Sequence, residues 1–312
     1  MTQSFRRTLV WTIIALLLLL GTMLQLRASP RAAPHDDAVI QNEQEGLLQA
    51  FGCTVSLLSF HLPQAEEACG NAIILLPDSP LGYKFRGYTY LLEHRFERAE
   101  ADLREAVRLD PRDPDNLAGL GQSLSGQGRF DDAIESFGRA LTLQPRDVRY
   151  LAARCWALAG QGQDLSAALA DCNLAVTLAP HLAVAYGARG LVHLKETEYA
   201  LAALDYSKSL RLEKNQPSAL FGRGIAEWRL GRIDQAKSDL SLARVRDPEI
   251  DDTYILVGIL EDGCRTGTGI CSLPEALKSK PLSPSSPYLS VSLGAGAAPA
   301  TSYQRRIRPT SR

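Results

Sequence analysis

Six cysteines and five histidines are the residues of this chain best suited to chemistry. The cysteines are Cys53, Cys69, Cys155, Cys172, Cys264 and Cys271, and no two stand in the Cys-x2-Cys spacing that zinc sites use. The histidines, His35, His61, His94, His181 and His193, are scattered, with no His-x3-His and no His-Glu-x2-His. His193 falls in the apolar frame of a helical pattern, where a satisfied core residue is expected. The glycine-rich stretch "GLGQSLSGQG" has no Lys-Ser/Thr to complete a phosphate cradle, and a nucleophile elbow is absent. No catalytic residue, cofactor, metal or small-molecule substrate is expected, and the chain reads as a non-enzyme. The cysteines are left with two roles, disulfide bonding or packing as small apolar side chains. Six cysteines allow 15 pairings.

The elements that would position them repeat. Prolines recur at Pro77, Pro111, Pro145, Pro180 and Pro248, with spacings of 34, 34, 35 and 68 residues, and Lys214 stands where the absent one would fall. Such a period signals a repeat architecture. Each period holds two apolar helical patterns. In one, Leu117, Leu120, Gly121 and Leu124 form a stripe, and Phe130, Ala133, Phe137 and Ala140 form the next. "GQG" between them ends the first helix, because glycine accepts the left-handed conformation.

This pattern resembles the tetratricopeptide repeat family. Tyr83, Gly87, Tyr90, Ala99, Leu103, Ala106 and Pro111 fill its motif once. Leu117, Leu120, Gly121, Leu124, Ala133, Phe137, Ala140 and Pro145 fill it again. Leu151, Leu158, Ala168, Ala175 and Pro180 follow, then Tyr186, Gly190, Ala202 and Tyr206, then Leu220, Gly224, Ala236, Leu240, Ala243 and Pro248. Cys53, Ala65, Ala72 and Pro77 read as a degenerate opening repeat, and Tyr254 and Gly258 as the start of one more first helix. The resemblance implies an all-α fold, an α-solenoid of stacked helix-turn-helix units. Each unit alone has too little apolar surface to be stable, so several must stack.

Comparison between the repeats extracts two correlations. Arg86, Arg154, Arg189 and Arg223 precede the small slot of the first helix, and Asp102, Asp171, Asp205 and Asp239 follow the first Ala of the second by three residues. Four repeats have both members; those with Leu120 and Ser136, or Gly52 and Ala68, have neither. Ion pairs within repeats are expected: Arg86–Asp102, Arg154–Asp171, Arg189–Asp205 and Arg223–Asp239. In the same way Cys53 and Cys155 occupy the small slot, while Cys69 and Cys172 occupy the large slot of the same repeats. Packing alone explains a cysteine in the small slot; it does not explain why the large slot shrinks with it. Disulfides Cys53–Cys69 and Cys155–Cys172 are expected, with Cys264–Cys271 closing a tight loop.

The two ends differ from the array. Thr8 to Leu26 is a run of 19 residues without a charge, about 28 Å as a helix and close to a bilayer core. It reads as an uncleaved signal anchor, a transmembrane helix within residues 1–27, followed by a linker over 28–42 and the repeat domain over 43–276. Arginines on both sides, Arg6 and Arg7 against Arg27 and Arg31, nearly balance the positive-inside rule. Six pairable cysteines break the tie in favour of an oxidising compartment. The expected location is the inner (cytoplasmic) membrane, single-pass, with the repeats in the periplasm. Residues 277–312 are rich in Ser, Pro, Gly and Ala and read as a disordered tail, with Lys278, Lys280, Arg305, Arg306, Arg308 and Arg312 and no acid.

A net charge of −1 argues against nucleic acid as a partner. What remains is a surface. The resemblance places first helices along a concave groove, with Tyr88, Gln122, Trp156, Leu191, Ile225 and Ile259 directed into it and Lys84, Phe221 and Trp228 a turn away. The Lys–Asn pair with which some members clamp a terminal carboxylate is unmatched, since Lys84 is followed by Tyr88. An apolar groove with aromatic anchors suits an amphipathic helix or extended peptide. The implied role is a scaffold or assembly factor that binds another envelope protein. A periplasmic chaperone for many clients, or a regulatory subunit of an envelope hydrolase, would use the same surface. A non-reducing peptide map of the protein from its native membranes, with free thiols alkylated first, should give linked Cys53–Cys69 and Cys155–Cys172 peptides. Fully alkylated cysteines would instead place the repeats in a reducing space.

Overall fold

The computed structural model describes residues 34–260. Among them are thirteen helices and no strand. The order is α1 (Pro34–Leu58), α2 (Leu62–Leu75), α3 (Pro80–Leu92), α4 (Phe96–Leu109), α5 (Pro114–Gly126), α6 (Phe130–Leu143), α7 (Val148–Gln161), α8 (Leu165–Leu178), α9 (Ala183–Lys195), α10 (Tyr199–Leu212), α11 (Pro217–Arg229), α12 (Ile233–Arg246) and α13 (Ile250–Leu256). The array lies within one compact unit, Asn42–Val291; a second unit contributes only the opening turns of α1 to the described residues. The candidate span Thr8–Leu26, the basic tail and the Cys264–Cys271 loop lie outside the described residues. No described helix is long and apolar enough to cross a membrane.

Local chemistry sets the helix ends. Pro80, Pro114 and Pro217 open α3, α5 and α11, where the missing N–H costs nothing. Asp113 and Asp147 cap α5 and α7, their carboxylates accepting from the N–H groups of Asp115 and Arg149 at 2.8 and 2.9 Å. Helices α2, α4, α6, α8 and α12 each stop one or two residues before a repeat proline, because a residue ahead of proline disfavours helical backbone. The turn inside each hairpin carries one left-handed residue: Phe60, His94, Gly128, Gly162, Thr197 and Gly231, with φ between 57° and 78°. They fall 34, 34, 34, 35 and 34 residues apart, so the repeat fixes a backbone conformation as well as a pattern of side chains.

The paired helices approach closely through the small slot. A Cβ on Gly87 would sit 2.6 Å from Leu103 Cγ, and one on Gly121 2.8 Å from the Phe137 ring. On Gly224 it would meet Leu240 at 2.7 Å, and on Gly190 the Tyr206 ring at 3.0 Å. Leu103, Phe137, Tyr206 and Leu240 are fully buried. Each hairpin then packs on the next, α4 on α5 and α6 on α7.

Two boundaries differ from the expectation. The first helix begins at Pro34, nine residues before Glu43, within the segment read as a linker; proline at a first helical position is preorganised for the helix. At the other end α13 has only seven residues, and Gly258, aligned with the small slot, lies in a turn at φ 67°. Glycine adopts that conformation without a Cβ clash, so the helix ends there. Gly121→Val should overpack the hairpin and cost about 1–3 kcal/mol, read as a lower urea midpoint with the helical circular dichroism signal retained.

Candidate functional site

The four Arg–Asp pairs share one geometry. Arg86 Nε and Nη2 donate to Asp102 Oδ2 and Oδ1 at 2.7 and 2.8 Å. Arg154 reaches Asp171 at 2.6 and 2.8 Å, Arg189 reaches Asp205 at 2.7 and 2.8 Å, and Arg223 reaches Asp239 at 2.7 and 2.8 Å. Bonding to the aspartate holds each guanidinium above its ordinary pKa, against the opposing effect of burial. The aspartates are buried and the arginines half-buried. In one of the two repeats without a pair, Ser136 donates instead to the carbonyl of Asp132 within its own helix at 2.9 Å. The structure also brings Cys53 to Cys69 and Cys155 to Cys172 as disulfides, with Cα atoms 5.0 and 5.6 Å apart. All four sulfurs belong to fully buried residues. Among the described residues no cysteine is free.

The groove set divides. Gln122, Trp156, Trp228 and Ile259 keep part of their surface accessible. Trp156 stands edge-on to Phe130 with ring centres 5.8 Å apart, and the Arg229 guanidinium lies 4.6 Å from the Trp228 ring centre. Tyr88, Leu191, Phe221 and Ile225 are buried and offer no such surface, contrary to the expectation. Neighbouring first helices cause this: α3 packs on α5, α7 on α9 and α9 on α11. The Phe221 ring lies 4.7 Å from that of Tyr254 on α13, and the hydroxyl of Tyr88 donates to the carbonyl of Asp115 at 2.7 Å. Helical spacing identifies a face, but it does not say which part of that face the next helix covers.

Lys84 is engaged rather than free. Its Nζ lies 2.6 Å from Asp113 and 3.7 Å from Asp115. The hydroxyl of Tyr150 donates to Asp115 at 2.5 Å, and Arg149 bridges Asp115 and Asp147 at 3.2 and 2.8 Å. This polar cluster joins the starts of three successive first helices, α3, α5 and α7. Sequence reasoning missed it, although Asp113 and Asp147 stand one period apart. The Tyr150 hydroxyl, beside Asp115, has its pKa pushed up by burial first and by that carboxylate second.

A second local cluster lies at the turn between α9 and α10. His193 Nδ1 is 2.8 Å from Glu198 and 3.8 Å from Glu196, while Nε2 is 3.6 Å from Asp205. Among the described residues, His193, Glu196 and Glu198 are the one group close enough to hold a metal ion. The same atoms already tie the turn to α9, and the imidazole is buried. Beside it Lys195 is half-buried, and burial holds its ammonium pKa below the ordinary value. Its Nζ lies 3.3 Å from where a Cβ on Gly258 would sit and 3.5 Å from that on Gly162. Leu256 likewise reaches Gly128, 2.8 Å from a Cβ placed there. The end of α13 therefore touches turns of hairpins that lie far earlier in the chain.

The tetratricopeptide repeat profile matches residues 90–155 and again residues 188–248. The chain contains tetratricopeptide repeats. Solved structures share the fold. A chain of the APC/C hetero-tetramer Cut9–Hcn1 aligns over 71% of this chain and 44% of its own length, at 15% identity and a TM-score of 0.59. TTC0263, a thermophilic TPR protein in Thermus thermophilus, aligns over 57% of this chain and 97% of its own, at 22% identity and a TM-score of 0.50. YrrB, described as a TPR protein with an unusual peptide-binding site, aligns over 61% and 97%, at 18% identity and a TM-score of 0.46. No curated protein sequence gives a significant match. Within this tetratricopeptide array the Arg–Asp pairs act as locks. Arg223→Met leaves Asp239 buried and uncompensated and should cost about 3–5 kcal/mol. Adding Asp239→Leu should recover most of that loss, as a double-mutant cycle by thermal or urea unfolding would show.

Proposed function

We propose that this protein is a membrane-anchored scaffold or assembly factor, which holds a partner protein or peptide on the inner face formed by its first helices. One observation carries the reading. First helices α5, α7 and α11 present partly accessible Gln122, Trp156 and Trp228, and α3, α5 and α7 carry the Lys84–Asp115–Arg149 cluster. Aromatic anchors beside fixed charges suit a segment with apolar side chains and a polar backbone, the chemistry of a helix or extended peptide. The repeat family supports this class of function, since its members typically bind protein or peptide partners.

Packing chemistry supports a reading of the location as well. Two buried disulfides between paired helices support an oxidising compartment, and the uncharged run Thr8–Leu26 supports a single-pass anchor ahead of the array. Together they favour a repeat domain in the periplasm, tethered to the inner membrane, with an envelope protein as partner. A photo-crosslinking residue in place of Gln122 in the full chain, in its native membranes, tests the site. One dominant adduct is expected, reduced at least tenfold when Trp156→Ala and Trp228→Ala are combined with it. No adduct, or an adduct indifferent to both tryptophans, overturns the inner-face reading. A broad ladder of adducts points to a chaperone for many clients.

A further inference from the structure

Helix α1 carries two apolar faces where the end helix of a stack needs one. Gly46, Ala50, Cys53 and Leu57 are buried; Gly46 lies against Leu76, and Cys53 is bonded to Cys69. A second stripe is uncovered among the described residues. Leu47, Leu48, Phe51, Val55 and Leu58 are 48%, 61%, 37%, 44% and 61% exposed. A terminal unit of a solenoid ordinarily turns a polar face outward.

The later repeats show what the stripe is equivalent to. One period after another, the slot of Leu48 is filled by Gly82, Asn116, Tyr150, Ala185 and Ala219, all buried. The slot of Val55 is buried at all five later positions too. In those repeats the preceding hairpin provides the cover: a Cβ on Gly82 would sit 2.7 Å from Ile73. Leu48 stands where that close approach needs glycine, so a helix covering α1 must sit farther away than α2 sits from α3. The stripe is thus apolar, equivalent to a buried face, and shaped for helix packing at a wider spacing.

Its periodicity names the occupant. Gln44, Leu47, Phe51, Thr54 and Leu58 follow steps of 3, 4, 3 and 4 residues, the seam spacing of a two-stranded coiled coil. The geometry points to a parallel, two-fold pairing of α1 with α1 of a second copy of this chain. In that register each seam residue meets its own counterpart, and the two Gln44 amides can each donate to the other. An antiparallel register would set Gln44 against Leu58 and leave its amide without a partner. A lipid surface fits worse: α1 holds Glu43 and Glu45 and neither Lys nor Arg, whereas interfacial helices carry a basic polar face. The stripe offers roughly 900 Å² for a pair before its polar rim is counted, near the ~1,000 Å² that specific interfaces clear. The pairing does not rest on the inner-face reading, because α1 lies outside the helices that form that site.

The test uses the full chain in its native membranes with Leu47→Cys, and Glu45→Cys on the opposite face of α1 as the control. Mild oxidation should link Leu47→Cys into a species of twice the chain mass, at least five times more than Glu45→Cys or the unsubstituted chain. Phe51→Glu in the Leu47→Cys background should abolish the link while the Cys53–Cys69 peptide and the thermal midpoint persist. Three outcomes overturn the proposal: equal linking at both positions, an adduct of the Leu47→Cys chain with some other mass, or an unlinked chain whose introduced thiol is shielded from maleimide. The last two assign the stripe to a foreign partner and to another segment of the same chain.

Discussion

Everything in this array depends on how closely the two helices of a hairpin can approach. The contact is one small residue against one large one, Gly87 on Leu103, Gly121 on Phe137, Gly190 on Tyr206 and Gly224 on Leu240. At these distances a single methyl group would collide with a fully buried side chain. The close approach fixes the depth of the hairpin, and that depth sets which side chains of the first helix are left for the next hairpin to cover. The left-handed turn residue completes the unit, since it reverses the chain within a few residues and keeps the small and large slots level. Where glycine is absent from the turn, at Phe60, His94 and Thr197, the same backbone conformation persists with φ of 58°, 57° and 61°. A non-glycine residue there is strained by about 1–2 kcal/mol, and the packing of the hairpin holds it.

The Arg–Asp pairs follow from the same constraint. An arginine placed just before the small slot reaches across to the second helix of its own hairpin, at the position where one repeat instead buries Leu120. Its planar guanidinium meets the aspartate with two parallel bonds. A ligand-binding ladder of charges would need at least one member of each pair exposed and unpaired. Here each aspartate is buried and each arginine uses two nitrogens on it. Repetition of a charge along a solenoid is therefore no guide to its partner until the geometry within one repeat is known.

How much of this was legible in the sequence depends on the range of the contact. The small–large slots and the Arg–Asp and Cys–Cys pairs each lie within about 17 positions, and comparison between repeats 34 or 35 residues apart isolates them together with the helix ends before the prolines. The inner face was read less well. Tyr88, Leu191, Phe221 and Ile225 occupy the right side of their helices, yet adjacent first helices lie over them. The Lys84–Asp115–Arg149 cluster draws on three repeats, and the contact of Leu256 with Gly128 spans most of the array. Those depend on the curvature with which hairpins stack, a quantity that no spacing in one chain encodes directly. The start of α1 at Pro34 was hidden for another reason: residues 34–42 lie ahead of the frame that the repeats share, so comparison between repeats does not reach them.

The cysteines show how packing can report on location. A cysteine in the large slot removes much of the apolar volume that Leu, Phe or Tyr provides in the other repeats, and burial of such a side chain contributes roughly 1.5–3 kcal/mol. Two hairpins accept that loss, the first of the array and the one containing α7 and α8. In both, the small slot has gained a sulfur at the same level, and the bond between the sulfurs closes a loop of 16 or 17 residues. Such a loop contributes about 3 kcal/mol in the chain-entropy view, comparable to what the smaller side chain forgoes. In a reducing environment these hairpins would keep the deficit without the compensation. An oxidised pair recovers that deficit, and this energetic argument supports the oxidising compartment proposed above.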